Sequence, residues 1–365
     1  MFNVWKQKIL ELYRKHETRF EVLFFIGGFT FDALLVKDVD DLFALAQQLL
    51  YLSIIGFLIH HEILFRLHKW RPRQEFVEKI WGYRNLLLHF LLGTLLNIYS
   101  LFYIKSASFI SSIVFLALMV GFIVANELPI IKKSKVSFKV GLFAICLFSY
   151  LSILFPLVLG FIGWTPFALA VVTTLAIFYL QVWFLKRKLP DDKTLFSAVL
   201  LPGLSVLCVF AIFYVLGWIP PVPLSAKEQG IYHLVEKKNG QYLLSTEKVW
   251  WKFWQSGDQD FKARPQDKIY YYAQIYSPAR FSDQIYIQWL WKNPQKGWQK
   301  TDRIRLDILG GRKEGFRGFA VKSNYQPGDW RIQVETEMGH EISRLSFEVT
   351  ADTSTEPRDF KILTQ

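Results

Sequence analysis

Two histidines and a carboxylate in a row, His60-His61-Glu62, followed by His68 and His89, are the residue types that hold zinc or haem iron. Adjacent helical residues point to different faces, so His60 and His61 do not aim at one bundle centre, and His68 does not stand four residues from His61. The expectation is histidines at the level of the lipid headgroups, with a metal or haem site as the alternative; no cofactor is expected. A second set is acidic. Asp32, Asp38, Asp40 and Asp41 form a rim, and a carboxylate in or near hydrocarbon is costly enough that Asp32 needs a partner or a role. Asp40 or Asp41 suits an N-cap for the helix that follows, and Arg303, Arg305, Arg312, Arg317 and Arg331 offer cations that would dock a C-terminal domain on the rim. A proton or ion relay is the alternative. A third set is aromatic: Trp250, Trp251 and Trp254, interleaved with Lys248, Lys252 and Phe253, read either as a platform for sugar rings or as a belt lying on a bilayer. Candidate binding residues in the C-terminal part are therefore Trp250, Trp251, Trp254, Arg312, Arg317 and Trp330. Candidate intramembrane or interfacial polar residues are Asp32, Asp41, His61 and His89.

Other chemistries lack their residues. The polar C-terminal part has only His233 and His340 as histidines, and no Ser-His-Asp order, P-loop or GxGxxG pattern, so catalysis there is not expected. Cys146 and Cys208 lie in apolar runs, which leaves no disulfide framework and no zinc cage for the polar part. Glu21, Asn97, Asn126, Glu127 and Gln181 are too scattered to define a pathway and suit interhelical hydrogen bonds.

The elements that must position these residues fall into two chemically different halves. The 365 residues are 52% hydrophobic and 20% charged, with the apolar residues crowded into the first three-fifths. Residues 1–19 set Phe2, Trp5, Ile9, Leu12 and Tyr13 at helical spacing among basic residues, as an amphipathic interfacial helix does. Seven apolar stretches follow, at 20–36, 42–61, 85–104, 107–126, 139–160, 164–185 and 195–217, each near the roughly 20 residues needed to cross a bilayer. Together, residues 20–218 read as a bundle of about seven transmembrane helices. Pro156 and Pro202 within spans imply kinks. The formal charge is +12, with the excess beside the apolar runs rather than on one face of a soluble fold, so no nucleic-acid partner is expected. Alternate connections carry 19 and 2 basic residues, which by the positive-inside rule puts the N-terminus in the cytoplasm and, after seven crossings, the C-terminal part outside it.

Beyond Pro220-Pro221-Val222-Pro223, which reads with residues 219–230 as a stiff linker, the periodicity changes from helical to alternating. Ile285–Trp291, Ile304–Ile308 and Trp330–Val334 alternate clearly, Tyr270–Ile275 and Leu345–Val349 less so, with turn signals between them. Residues 231–351 therefore predict an all-β domain of the immunoglobulin-like or jelly-roll sandwich type, with Trp289 and Trp291 on one face as core. Residues 352–365 predict a frayed polar tail.

The order Gln288-Trp289-Leu290-Trp291, Asp302-Arg303-Ile304, Gly310-Gly311-Arg312, Gly315-Phe316-Arg317 and Pro327-Gly328-Asp329-Trp330-Arg331 resembles the bacterial domain-of-unknown-function 2914 family, found at the C-terminus of polytopic membrane proteins. Gly28-Phe29, Phe31-Asp32 and Val39-Asp40 resemble the membrane region of the same proteins. The resemblance implies a fold and a location, and no activity. Together with the residue pattern it leads to an expected multi-pass bacterial inner-membrane protein. Its bundle anchors an extracytoplasmic β-sandwich that binds an envelope protein or a cell-wall glycan. The alternative is a transporter or sensor in which the bundle carries the activity and the β domain serves as lid or ligand receptor.

Overall fold

A computed structural model describes residues 38–127, 136–189, 195–278, 281–309 and 315–365. The expected helix at 1–19, the span at 20–36 with Asp32, and the turn bearing Arg312 lie outside these residues.

Seven α-helices form the N-terminal part of the described chain: α1 Leu42–Arg66, α2 Glu75–Gly82, α3 Arg84–Lys105, α4 Phe109–Glu127, α5 Val136–Leu159, α6 Trp164–Lys186 and α7 Leu201–Val215, the last continuing a π-helical turn at Phe196–Leu200. Five of these segments, α1, α3, α5, α6 and the π turn with α7, are long and apolar enough to cross a membrane. α4 is apolar too, at 19 residues. Each of the six expected spans within the described residues coincides with one helix. α1 starts where Asp41 Oδ1 accepts the amides of Phe43 at 2.9 Å and Ala44 at 3.1 Å, satisfying two of the donors that a helix start leaves open. Pro202 lies in the first turn of α7, separated from the π turn by Leu201, a place where a missing N–H is absorbed by a local change of ladder. α3 and α5 are the most buried spans, and α1, α6 and α7 keep much of their apolar surface open, with Phe57, Val172, Tyr179, Phe184 and Ile212 exposed. A helix apolar all round and half uncovered is what a lipid solvent requires.

α2 was not legible in the sequence. Its Phe76, Val77 and Ile80 are exposed while Trp81 is buried, packed on Trp70 and Phe65.

Two sheets share one core in the C-terminal part. The first has the order β1-β5-β8, from Ser225–Tyr232, Ile269–Tyr276 and Phe316–Lys322; all pairs are antiparallel. The second has the order β4-β10-β9-β6-β7, from Asp260–Ala263, Glu341–Ala351, Gly328–Thr336, Ser282–Asn293 and Gly297–Leu309, with only β4 and β10 parallel. Alternating residues from both sheets meet: Tyr271 and Ile275 from one, Ile287, Trp289, Ile332 and Phe347 from the other. Trp289 is fully buried and Trp291 is partly buried against the same cluster, as their shared strand parity requires. A smaller sheet, β11-β3-β2, joins Lys361–Thr364, Gln241–Thr246 and Leu234–Lys238.

Two expectations about the domain edges are corrected. The stretch 219–230 is not a free linker: Ile219 and Val222 are buried with the helices, Leu224 is buried in the β core, and β1 begins at Ser225. The tail is not frayed. Lys361–Thr364 pairs antiparallel with Leu243–Thr246, because the edge of β3 offers open backbone groups.

Bundle and β domain touch directly. Tyr276 donates its hydroxyl to Asp40 Oδ1 at 2.9 Å, Ser108 donates to Glu341, and the His340 ring packs on Tyr214 at 4.8 Å. The expected arginine docking on the acidic rim is not how Asp40 is used. Arg303 pairs with Glu335 at 3.0 Å and covers the Tyr286 ring, and Arg331 covers Trp298, so these cations serve the second sheet. Burial and the Asp40 carboxylate push the Tyr276 phenol far above its usual range, which keeps it a donor. Tyr276→Phe is expected to cost about 1–2 kcal/mol of docking, seen as faster hydrogen exchange across 219–224; unchanged exchange there would refute the role.

Candidate functional site

The loop between β3 and β4 carries the most exposed aromatics of the C-terminal part, and both its feet are fixed. At the start, Lys248 N donates to Thr246 Oγ1 at 3.0 Å, and the Asp258 carboxylate accepts from the Thr246 hydroxyl at 2.8 Å and from Glu247 N at 3.2 Å. At the end, Ile231 N donates to Ser256 O at 3.2 Å and Asp258 N to Ile231 O at 2.7 Å. Between these bonds Gly257 has φ +73°, and a Cβ there would sit 2.1 Å from the Ile231 carbonyl oxygen, so only glycine fits. Such anchoring leaves Trp250, Trp251, Phe253 and Trp254 exposed by 84%, 50%, 83% and 60%. They are ordered by one another: Trp251 and Phe253 each meet Trp254 edge-to-face, at 5.7 and 5.1 Å.

Trp254 also walls a groove of about 400 Å³, with Trp298 from the β6–β7 hairpin end and a floor that includes Trp330 and Phe347. Gln255, Gln259, Asp260, Asp329, Ser346 and Glu348 supply its polar lining. Hydrogen bonds from Lys252 and from Gln255, the latter at 2.9 Å, hold the Asp260 carboxyl below its usual range and therefore ionised. Asp329 is paired with Lys292 at 2.9 Å, and Gln259 is locked by donating to Ser346 O at 2.7 Å. Indole faces beside fixed acceptors suit a ring with apolar C–H faces and a hydroxyl rim.

The groove lies far from the helices. Glu341, which meets Ser108, and Glu348, which lines the groove, are seven residues apart on β10, about 24 Å at 3.4 Å per residue. Ser225 and Ile231 give about 20 Å along β1 by the same spacing. The aromatic loop therefore stands at the end of the β domain remote from the bundle.

The remaining candidates go to separate places. Trp330 is core, only 2% exposed, with its indole donating to Gln326 O at 2.8 Å; it contributes the groove floor and not an exposed face. Arg317 sits on β8 opposite Gln274, and its carbonyl accepts from Tyr242 at 3.1 Å, outside the groove lining. Asp41 is the N-cap already described. His61 packs on Phe57 and Trp70 and donates to Phe57 O at 3.0 Å. His89 is not at a headgroup surface: it is buried, its Nδ1 donating to Asn126 Oδ1 while Asn126 Nδ2 donates to the His89 carbonyl, both at 3.0 Å, which clips α3 to α4. Among the described residues no three His, Cys, Asp or Glu side chains gather as a metal site.

Sequence reasoning missed Trp298, Gln255, Gln259, Asp260 and Glu348. It also passed over His233, which stacks on Phe261 at 4.2 Å with its Nε2 3.4 Å from Glu247 and 3.9 Å from Asp258. Thr246 gives its hydroxyl to Asp258, so this trio lacks the order of a nucleophile and its base. Arg358 from the tail completes it, binding Asp267 at 2.7 Å and the Lys262 carbonyl at 2.6 Å. The cluster fastens the tail.

Residues 282–349 match the family described as protein of unknown function DUF2914. No curated protein matches the chain. Among solved structures, an immunoglobulin-like protein from Pseudomonas aeruginosa aligns at 11% identity over 35% of this chain and 98% of that one, with a TM-score of 0.22. A β-glucosidase from Listeria innocua in complex with glucose aligns at 10% identity, TM-score 0.20, over 25% of this chain, which spans 15% of the enzyme. Likeness this low carries no argument about fold or activity.

Proposed function

We propose that the helices anchor in a bacterial inner membrane a β-sandwich of immunoglobulin-like or jelly-roll type, which faces outside the cytoplasm and binds a cell-wall glycan. Two sheets packed on one core support the domain type, and the 19-to-2 division of basic residues supports the orientation. A single observation carries the ligand class. Four aromatic side chains are held exposed on a doubly anchored loop beside a groove with fixed carboxylates, some 20 Å from the bundle by strand length. A soluble monomer rarely leaves such a patch uncovered without a partner. An envelope protein is the competing occupant; it would need no acceptor row, whereas sugar hydroxyls do.

The test uses the full chain in nanodiscs, titrated with soluble peptidoglycan fragments and followed by calorimetry. Trp254→Ala and Trp298→Ala are each expected to weaken binding by about 2 kcal/mol, roughly 30-fold, while Trp183→Phe, on α6, leaves it unchanged. No heat with wild type, or equal affinities across the three variants, would sink the glycan reading.

A further inference from the structure

At one end of the bundle the ends of three helices bring together more cations than anions. Glu62 stands one turn before the end of α1, Arg84 begins α3, and Lys139 stands in the first turn of α5. Glu62 is 1% exposed, and both its oxygens are taken, one by Arg66 Nε at 2.7 Å and the other by Arg84 Nε. Lys139 is also 1% exposed and donates to Asn85 Oδ1 at 2.6 Å. Three positive side chains thus face one carboxylate among the described residues.

The hydrogen-bond inventory is unbalanced in the same sense. Arg84 Nη1 donates to the Trp81 carbonyl at 3.0 Å, but the buried Trp81 Nε1 finds no acceptor among the described residues, and the Arg84 guanidinium lies 5.0 Å from the same ring. A lysine ammonium has three donors and a guanidinium five, against acceptors that are already used. The starts of α3 and α5 add their own positive ends, offset in part by the negative end of α1. What would balance the group is an anion that only accepts hydrogen bonds.

Access and depth fit. Exposure rises from buried Glu62 and Lys139 to Arg84 at 18% and Arg66 at 43%, so the cluster opens outward. Beside it α2 presents Phe76 and Ile80 uncovered, the habit of a short helix lying in the headgroup layer. We propose that Arg66, Arg84 and Lys139 form a binding site for a phosphate group, supplied by the headgroup of an anionic phospholipid. The proposal rests on the helices crossing a bilayer and is independent of the glycan groove.

The test takes the full chain purified in maltoside detergent and depleted of lipid. Phosphatidylglycerol, phosphatidylcholine and inorganic phosphate are added in separate arms, and bound lipid is counted by native mass spectrometry alongside the midpoint of thermal unfolding. Expected is one retained phosphatidylglycerol per chain, at least tenfold tighter than phosphatidylcholine, with a raised midpoint. Lys139→Gln and the outer variant Arg66→Gln should each lose that preference at least fivefold. Arg66→Gln keeps the test valid if the buried variant does not fold. Stabilisation by inorganic phosphate above that by phosphatidylglycerol would keep the phosphate site and overturn the lipid as its source. Equal retention of both lipids with no effect of phosphate, or retention unaltered in Arg66→Gln, would overturn the site itself.

Discussion

Glu62→Ala is expected to lower the stability of the bundle by about 3–5 kcal/mol, the usual consequence of removing one partner from a buried charge network. The carboxylate lies between two guanidinium groups that arrive from different helices, Arg66 from its own and Arg84 from α3. Without it, Arg84 faces Lys139 across the helix ends with no negative charge between them among the described residues, and partial burial makes the repulsion stronger than it would be in water. Glu62→Gln should cost less, because one oxygen still accepts. The double variant Glu62→Gln/Arg84→Gln should lose less than the sum of its parts, since each single change leaves a charge stranded and the double change removes both. Unfolding in detergent, followed by circular dichroism, measures all three. A Glu62→Ala midpoint within error of wild type would show that water or lipid already screens the group.

This network was invisible in the sequence for a physical reason. His60-His61-Glu62 drew attention as metal-ligand types, but helix geometry turns Glu62 toward α3 and α5 while His61 turns to Trp70. The partners, Arg84 and Lys139, are 22 and 77 positions further on, and only packing brings them together. The helices themselves were legible because a run of apolar residues long enough to cross lipid has few other uses. Boundaries moved where polar residues continue a helix beyond its apolar part, as α1 does through His60-His61-Glu62 to Arg66. Conversely α2, eight residues with three charges, is too short for periodicity to show.

In the β half the strands that fill the shared core, β5, β6, β7, β9 and β10, were legible because one parity of each is bulky. β2, β3, β4 and β11 were not. Lys237-Lys238 and the exposed β11 place little in the main core, so alternation is weak, and pairing of the tail depends on an edge that exists only once β3 is in place. The groove shows the same division. Trp250, Trp251 and Trp254 stood out as a cluster in one segment, whereas Trp298 and Glu348 come from separate hairpins and carry no local signal.

Acid titration of the β domain should show two opposing slopes that nearly cancel, and Asp258→Asn should expose one of them. Burial, and then the Arg358 cation, lower His233 from 6.5 to about 4. Its charged form is disfavoured in the fold, so the stability it contributes is complete above pH 6.5 and is lost as pH falls toward 4, up to about 3 kcal/mol. Burial has the opposite consequence for Asp258, raising it from 3.8 to about 6 against the hydrogen bonds from Thr246 and the Glu247 amide. Its contribution is present below pH 3.8 and is lost as pH rises through 6, again by about 3 kcal/mol at most. Between pH 4.5 and 6 the wild type should therefore change little from this pair. With asparagine at 258 the histidine slope stands alone, and stability should fall by about 2 kcal/mol over that interval as acid is added. At pH 7.5 the variant should be more stable than wild type by about 1–2 kcal/mol, the relief of an ionised buried group less the acceptor that the Glu247 amide loses. Other carboxylates, such as Asp352 and Asp260, titrate alike in both proteins and cancel in the difference. Urea unfolding of the full chain, read through tryptophan fluorescence at several pH values, decides it. Parallel curves for wild type and Asp258→Asn would mean that Asp258 and His233 are not opposed in the folded domain.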